Sequence, residues 1–213
     1  MKPKVLCIDR EALQQQDIPY HTSGIFPFNL NNVSLEDFHF LNRKLVDSKD
    51  NKVYQDIGYL LPQILPYITI MDLDGNYLTY SRNGTETRLH GSRSIGIGSH
   101  IDIDDMYDNE VWVVNSILET IAQSTFRELQ EEVGISAAID INLLDRIIVD
   151  TTNSVGKVHV GLSTTLIVER NTIHPQEELH DAKWLTVDEL KASIDEYENW
   201  SKIIIKELYE KDQ

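Results

Sequence analysis

One segment, Val114–Val133, constrains the fold of this chain more than any other. At 100° per residue, Val114, Ile117, Leu118, Ile121, Thr125 and Leu129 fall on one stripe, the signature of a helix with one buried face. Gly134 follows at once, where a helix stop belongs. The last turn then breaks the pattern. On a wheel of about 3.6 residues per turn, Glu132 lies within roughly 10° of the stripe centre and Glu128 within roughly 50°. Glu131 lies on the adjoining edge. Carboxylates thus point where a core should be. Glu128 and Glu132 repel as an i,i+4 pair, at about 0.2–0.5 kcal/mol. Glu131 and Glu132 also sit at the negative end of the helix dipole, at about 0.3–1 kcal/mol each. Such conflicts within one turn point to a site. Two readings stay open here: a solvated acidic face, or a divalent-cation site. Hard oxygen ligands suit Mg²⁺ or Mn²⁺, and no His or Cys in the segment favours zinc.

Composition narrows the partners. Over 213 residues, 19 Lys+Arg face 35 Asp+Glu, a formal net charge of −16. Such a chain repels phosphate backbones and anionic lipid, so no long nucleic acid and no membrane partner is expected. The only cysteine, Cys7, rules out an internal disulfide and reads as a small buried hydrophobe. No apolar run approaches the ~18 residues of a membrane span, and no signal peptide is visible, so the expected compartment is the cytoplasm.

The rest of the chain reads as mixed elements. A strand is expected over residues 4–8, and a helix over Leu35–Leu45 with Ser34 as N-cap and Asp37 three residues on. Asp72-Leu73-Asp74-Gly75 reads as a hairpin turn between Tyr67–Met71 and Asn76–Tyr80. Further strands are expected at Ser94–Ile97, Leu143–Val149, Lys157–Val168 and Trp184-Leu185, then a closing helix in two pieces from Thr186. Strands in hairpins with interspersed helices imply a mixed sheet packed by helices, an α/β (α+β) class. The expected division is an N-terminal extension, residues 1–60, packed on a domain of residues 61–213.

Arg127-Glu128-Leu129-Gln130-Glu131-Glu132-Val133-Gly134-Ile135, with seven residues between Glu119 and Arg127, resembles the Nudix box, G-x5-E-x7-R-E-U-x-E-E-x-G-U with U aliphatic. One position departs: Val113 stands where the box glycine belongs. A glycine turn lies upstream instead, at Gly98-Ser99-His100-Ile101, which resembles the Gly-Gly-His motif that precedes many Nudix boxes. The stretch Arg88–Gly98 looks like a bacterial and phage-type subgroup of undefined substrate. The resemblance covers roughly residues 60–195.

The resemblance implies an α/β/α sandwich with a mixed sheet. It implies metal-dependent hydrolysis of a pyrophosphate bond in a nucleoside diphosphate linked to another group. Glu128 and Glu132 become metal ligands, with Glu131 a ligand directly or through water, and a carbonyl of the Gly98-Ser99 turn completing the shell. Glu119, Arg127, Gly98 and Gly134 match positions that shape the motif. The general base is a glutamate of the box (Glu128 or Glu131) or one of a later loop (Glu177 or Glu178), with Glu169 a weaker candidate. Dimers are common in the resembling family, so a homodimer is admitted.

Arg82, Arg88 and Arg93, with His90, cluster between the hairpin and the glycine turn. They read either as phosphate contacts or as charge balance against acids such as Glu86. His100 reads as a structural histidine or a substrate contact. The acidic run Asp102–Glu110 lacks calcium-loop spacing and reads as a solvated insertion, or a lid over the site. Three functions follow. The first is a Mg²⁺-dependent Nudix pyrophosphohydrolase acting on a small nucleotide-derived substrate. The second is a Nudix-fold module that binds a nucleotide without cleaving it, against which the intact glutamate set argues. The third, a diphosphate isomerase of the same fold, needs a cysteine near the site, and Cys7 is far from it in sequence.

Overall fold

The computed structural model describes residues 4–47, 51–82, 91–106, 114–135, 145–177 and 179–211. The elements in chain order are β1 (Lys4–Ile8), α1 (Arg10–Gln14), β2 (Gly24–Pro27), β3 (Phe38–Asn42), α2 (Arg43–Val46) and α3 (Lys52–Leu60). They continue with β4 (Gln63–Asp72), β5 (Tyr77–Arg82), β6 (Arg93–Ser94), β7 (Gly96–Gly98) and α4 (Val114–Val133). The last are β8 (Arg146–Val149), β9 (His159–Val168), β10 (Leu179–Leu185), α5 (Val187–Ala192) and α6 (Asn199–Lys211). The fold is of the α+β class, a mixed β-sheet with helices. The chain divides into two compact units, and the division falls inside β4, β9 and α4.

The first unit comprises Met1–Pro66, Gly98–Phe126 and Leu143–Ser163. Here β1 pairs antiparallel with β3, Cys7 opposite His39. β8 lies between β2 and the start of β9, Ile148 facing Ile25 on one side and Gly161 on the other. The core gathers Leu6, Ile8 and Ile64 with Ile101, Ile117, Ile121, Ile147, Val149, Val160 and Leu162. Ile117 and Ile121 are the stripe of α4, buried as its spacing requires.

The expected helix over Leu35–Leu45 is helical only from Arg43, where α2 begins. Residues Leu35–Asp37 make one 3-10 turn, in which the Ser34 N–H donates to the Asp37 carboxylate. Phe38–Asn42 then runs as β3 against β1. The Ser34–Asp37 start signal is real, but Phe38 and Phe40 alternate with His39 and satisfy a strand once β1 is beside them. The Asp102–Glu110 insertion is structured where described: Asp102 bridges to Val5, and the Asp102 N–H donates to the Asp105 carboxylate in a 3-10 turn.

The second unit comprises Tyr67–Ile97, Arg127–Asn142 and Thr164–Gln213. β4 and β5 form the hairpin read from the sequence, turning through Gly75 at φ 82°. β10 extends the sheet beyond β5, from Leu179 opposite Arg82 to Leu185 opposite Tyr77. It is much longer than the two residues its hydrophobicity suggests. Its middle is polar and irregular, with a bulge at Asp181, where φ is +50°. The strand expected at Ser94–Ile97 is broken at Ile95 into β6 and β7. Ile68, Ile70, Leu78, Tyr80, Leu166, Val168 and Leu179 pack with Leu129 and Val133, the last apolar residues of α4.

Candidate active site

The last turn of α4 lies in the second unit, held from its buried side by Leu129 and Val133, both fully shielded from solvent. Its carboxylates stand on the flanks of that contact. Arg127 organises them: Nη1 lies 2.6 Å from Glu128 Oε1 and 3.3 Å from Glu131 Oε2. The i,i+4 pair with Glu131 follows from helix spacing. The shorter pairing with the adjacent Glu128 does not, and it is the more consequential. The Glu128 side chain retains only 14% of its exposure, whereas Glu131 retains 61%. A carboxylate so shielded costs several kcal/mol unless a cation compensates it, and Arg127 is that cation. Glu119, one of the shaping positions of the box pattern, is exposed on the earlier part of the helix.

The helix stops as its sequence requires. Gly134 adopts φ +61°, and its N–H donates to the Gln130 carbonyl at 3.1 Å. A Cβ at Gly134 would lie 3.0 Å from the His174 carbonyl oxygen and from Gln176 Nε2, so conformation and space both demand glycine. Two helix-end carbonyls that would lack intrahelical donors are taken by the 174–177 loop. The His174 N–H donates to Val133 O at 2.7 Å and the Gln176 N–H to Glu132 O at 2.8 Å. Glu177, exposed in this loop, therefore stands one residue from a direct tether to Glu132. Glu178 and Arg88 lie outside the described residues.

The two described arginines of the cluster part company. Arg93 is buried and spent on protein acceptors. Nη1 donates to Ser81 Oγ at 3.1 Å and to Asp181 Oδ2 at 2.7 Å, Nη2 donates to the Asp181 carbonyl at 3.2 Å, and Nε donates to Thr79 Oγ1 at 3.4 Å. It ties β6 to the bulge of β10. Arg82, at the end of β5, is half-buried on the face that carries Tyr80 towards α4. Burial opposes its charge, but the fields of Tyr80, Glu198, Tyr67 and Glu132 outweigh that and raise its pKa above the ordinary guanidinium value.

Gly98, Ser99 and His100 lie in the first unit. The His100 carbonyl accepts from Ser99 Oγ and from Ser124 Oγ of α4, each at 3.4 Å, and the His100 ring stands edge-on to His159 at 5.6 Å. These contacts hold the segment after the glycine turn against the first half of α4.

Of the residues that carry the second unit's polar interior with Tyr67, Glu198 and Ser201 were not singled out from sequence. Their one legible signal is Glu198 ahead of a helix, where an acid meets free N–H groups.

No protein-family model matches the chain. Protein YmaB of Bacillus subtilis is 32% identical over 155 residues, 67% of this chain and 69% of that protein. Among solved structures, Tm1382, which carries a Nudix hydrolase assignment, superposes with a TM-score of 0.67 at 22% identity, covering 96% of this chain and 97% of that one. The chain belongs to one family with YmaB, and its fold is that of the Nudix hydrolases. DR0079 of Deinococcus radiodurans shares the fold more loosely, with a TM-score of 0.50 at 12% identity over 68% of this chain and 82% of its own. The segment that resembles the Nudix box is the last turn of α4 with its glycine stop, and the upstream glycine turn is β7 and the residues after it.

A divalent cation fits the donor set of this Nudix box in kind. The box offers oxygen donors alone, at i, i+3 and i+4 on one turn, with Glu128 shielded from water and already matched to positive charge. Among the described residues, no three His, Cys, Asp or Glu side chains converge as a finished metal centre. Glu131 would have to leave Arg127 to join one.

Proposed function

We propose that this Nudix hydrolase cleaves the pyrophosphate bond of a nucleoside diphosphate linked to another group, with Mg²⁺ or Mn²⁺ required. The observation that carries the reading is the glutamate turn: three carboxylates on the last turn of α4, the innermost shielded and neutralised by Arg127. Nothing in packing the helix calls for them. Glu128, Glu131 and Glu132 would hold the cation. The bound cation would neutralise phosphate charge and supply a hydroxide-like water.

The chain's own groups do the rest. The tether from His174 and Gln176 to the helix end keeps Glu177 beside Glu132, a place from which a carboxylate can take a proton from the attacking water. Glu128, Glu131 and Glu178 are the other candidates for that base. Arg82, and Arg88 with it, meet the negative charge of the substrate, while Arg93 shapes the sheet that presents them. The partner is a small nucleotide-derived diphosphate, handled as a water-soluble substrate by a protein that no helix of the described residues anchors across a membrane. The homodimer and the cytoplasmic location remain part of this proposal.

The test is turnover. The protein is incubated with Mg²⁺ and a panel of nucleoside diphosphate derivatives, and release of nucleoside monophosphate is measured. Turnover that chelation abolishes and Mn²⁺ restores is the expected result. Binding across the panel without cleavage would overturn the hydrolytic reading.

A further inference from the structure

The chain changes partners at Ile95. Ser94 lies opposite Tyr80 of β5, whereas β7, which starts at Gly96, pairs with β4. A residue buried at such a crossing has a main-chain N–H that must still find an acceptor. Ile95 is buried, and its N–H donates to Ser201 Oγ of α6 at 3.0 Å. The residues just before α6 grip the other side of the crossing. Tyr197 bridges to Arg93, and the Glu198 N–H donates to the Arg93 carbonyl at 3.0 Å. Two main-chain groups that flank Ser94 are thus held by a short stretch from the C-terminal end of the chain.

Side chains alternate along a strand, so the two faces of this sheet are told apart by their neighbours. Tyr67 and Thr79 reach Ser201 and Tyr197, while Ile68, Leu78 and Tyr80 pack with Leu129 and Val133 of the box helix. The Gly96 carbonyl oxygen joins the two faces. From one side it accepts Ser94 Oγ at 2.9 Å, and from the other the Tyr80 hydroxyl at 2.9 Å. Ser94 Oγ in turn stands 3.2 Å from the Tyr67 hydroxyl and 3.3 Å from Ser201 Oγ. Tyr67 and Ser201 give their own protons to Glu198 Oε1, at 2.5 and 2.6 Å, which leaves their oxygens as acceptors. The next residue along the chain, Ile97, is buried in the same core as Tyr80, Leu129 and Val133.

We propose that Ser201 is a positioning residue for the glutamate turn. By holding the Ile95 crossing it fixes the Gly96 carbonyl, and with it Tyr80 and Ile97, the surface on which Leu129 and Val133 rest. This rests on the metal-dependent reading above. It deepens that reading by assigning part of the geometry of the box to a helix that begins more than sixty residues after it. Ligand oxygens must be held to within about 0.5 Å, by neighbours that are themselves locked by packing and hydrogen bonds. Glu128 and Glu132 each precede one of the two buried anchors in sequence, so they move with the surface under those anchors.

The probe is Mn²⁺ alone, titrated by electron paramagnetic resonance at a temperature where every variant is folded. Wild type, Ser201→Ala, Tyr80→Phe and the double variant are compared. Ser201→Ala should weaken Mn²⁺ binding about three- to tenfold, and Tyr80→Phe about two- to threefold. The double variant should fall short of the product of the two losses, because both act on one carbonyl. A role in stability alone would lower the melting temperature of Ser201→Ala and leave the Mn²⁺ affinity of the folded protein at the wild-type value. That result, or losses that multiply in full in the double variant, overturns the assignment of Ser201. If Ser201→Ala does not fold, Tyr80→Phe decides, since it removes one hydroxyl from the same carbonyl: a loss of affinity supports the assignment and wild-type affinity overturns it. Wild-type protein that binds no Mn²⁺ overturns the metal reading itself, and this assignment with it.

Discussion

Two acid–arginine clusters in the second unit solve the same problem in opposite ways. At the β4–β5 turn, the buried Asp72 carboxylate accepts from the Asp74 N–H, the Asn76 N–H, Asn76 Nδ2 and Arg170 Nε at 2.6–3.2 Å. Arg170 in turn lies over the Trp184 ring at 5.2 Å. One carboxylate there meets a full complement of donors. At the end of α4, Arg127 is divided between Glu128 and Glu131, with Glu132 following on the same turn. A carboxylate whose lone pairs are filled by the protein is a structural part. A turn with more carboxylates than cations of its own has capacity for a charge from outside.

The largest break in this comparison should come from Glu132→Gln. It should lower kcat roughly a thousandfold, about 4 kcal/mol of transition-state stabilisation, with the melting temperature kept. Near-normal kcat in that variant would remove Glu132 from the metal set. Asp72→Asn should do the reverse, costing about 3 kcal/mol of stability in chemical denaturation while kcat per folded molecule holds. Burial raises the Asp72 pKa, but its hydrogen bonds from Asn76, Arg170 and Asp74 win and bring it down to about 2. The folded pKa is depressed, so this stabilisation is present above about pH 4 and is lost as pH falls towards 2. An acid unfolding profile that Asp72→Asn leaves unchanged would refute that assignment.

A third test uses the metal as the ligand. At about a hundred times its Kd, Mg²⁺ or Mn²⁺ should raise stability by about 2.7 kcal/mol in the wild type and in Asp72→Asn, and by almost nothing in Glu132→Gln. Equal shifts in all three would place the cation elsewhere. The smallest effect expected is that of Gly134→Ala, about 1–2 kcal/mol, from a non-glycine residue forced to φ +61° at the end of the box. Its activity loss should exceed what the stability loss explains, because the clash is with the loop that carries Glu177.

What the sequence made legible was local. The stripe of α4, its bounds and its glycine stop follow from 3.6-residue spacing, and so does the pairing of Arg127 with Glu131. The β4–β5 hairpin follows from its Asp-Gly turn. What could not be read depended on partners distant in the chain. Phe38–Asn42 is a strand because β1 lies beside it. Arg93 is spent because Asp181, 88 residues on, turns its carboxylate and its carbonyl towards the guanidinium. Glu198 gives its N–H to the Arg93 carbonyl because the residues just before α6 run beside β6. In the box itself, charge compensation was not legible, since the shorter Arg127 contact is to its immediate neighbour.

The stitch between the 174–177 loop and the end of α4 has a consequence for how this protein can vary. Both bonds are made by main-chain atoms, and Pro175, which has no N–H to give, stands between the two donors. Exchanging the side chains of His174 or Gln176 leaves the stitch in place, so the identity of those residues is cheap to change. Their number is not. One residue inserted or removed between 174 and 177 slips the register, and Glu177 swings away from the box while every glutamate is still present in the sequence. In this part of the molecule, loop length carries the information that residue identity carries in the helix.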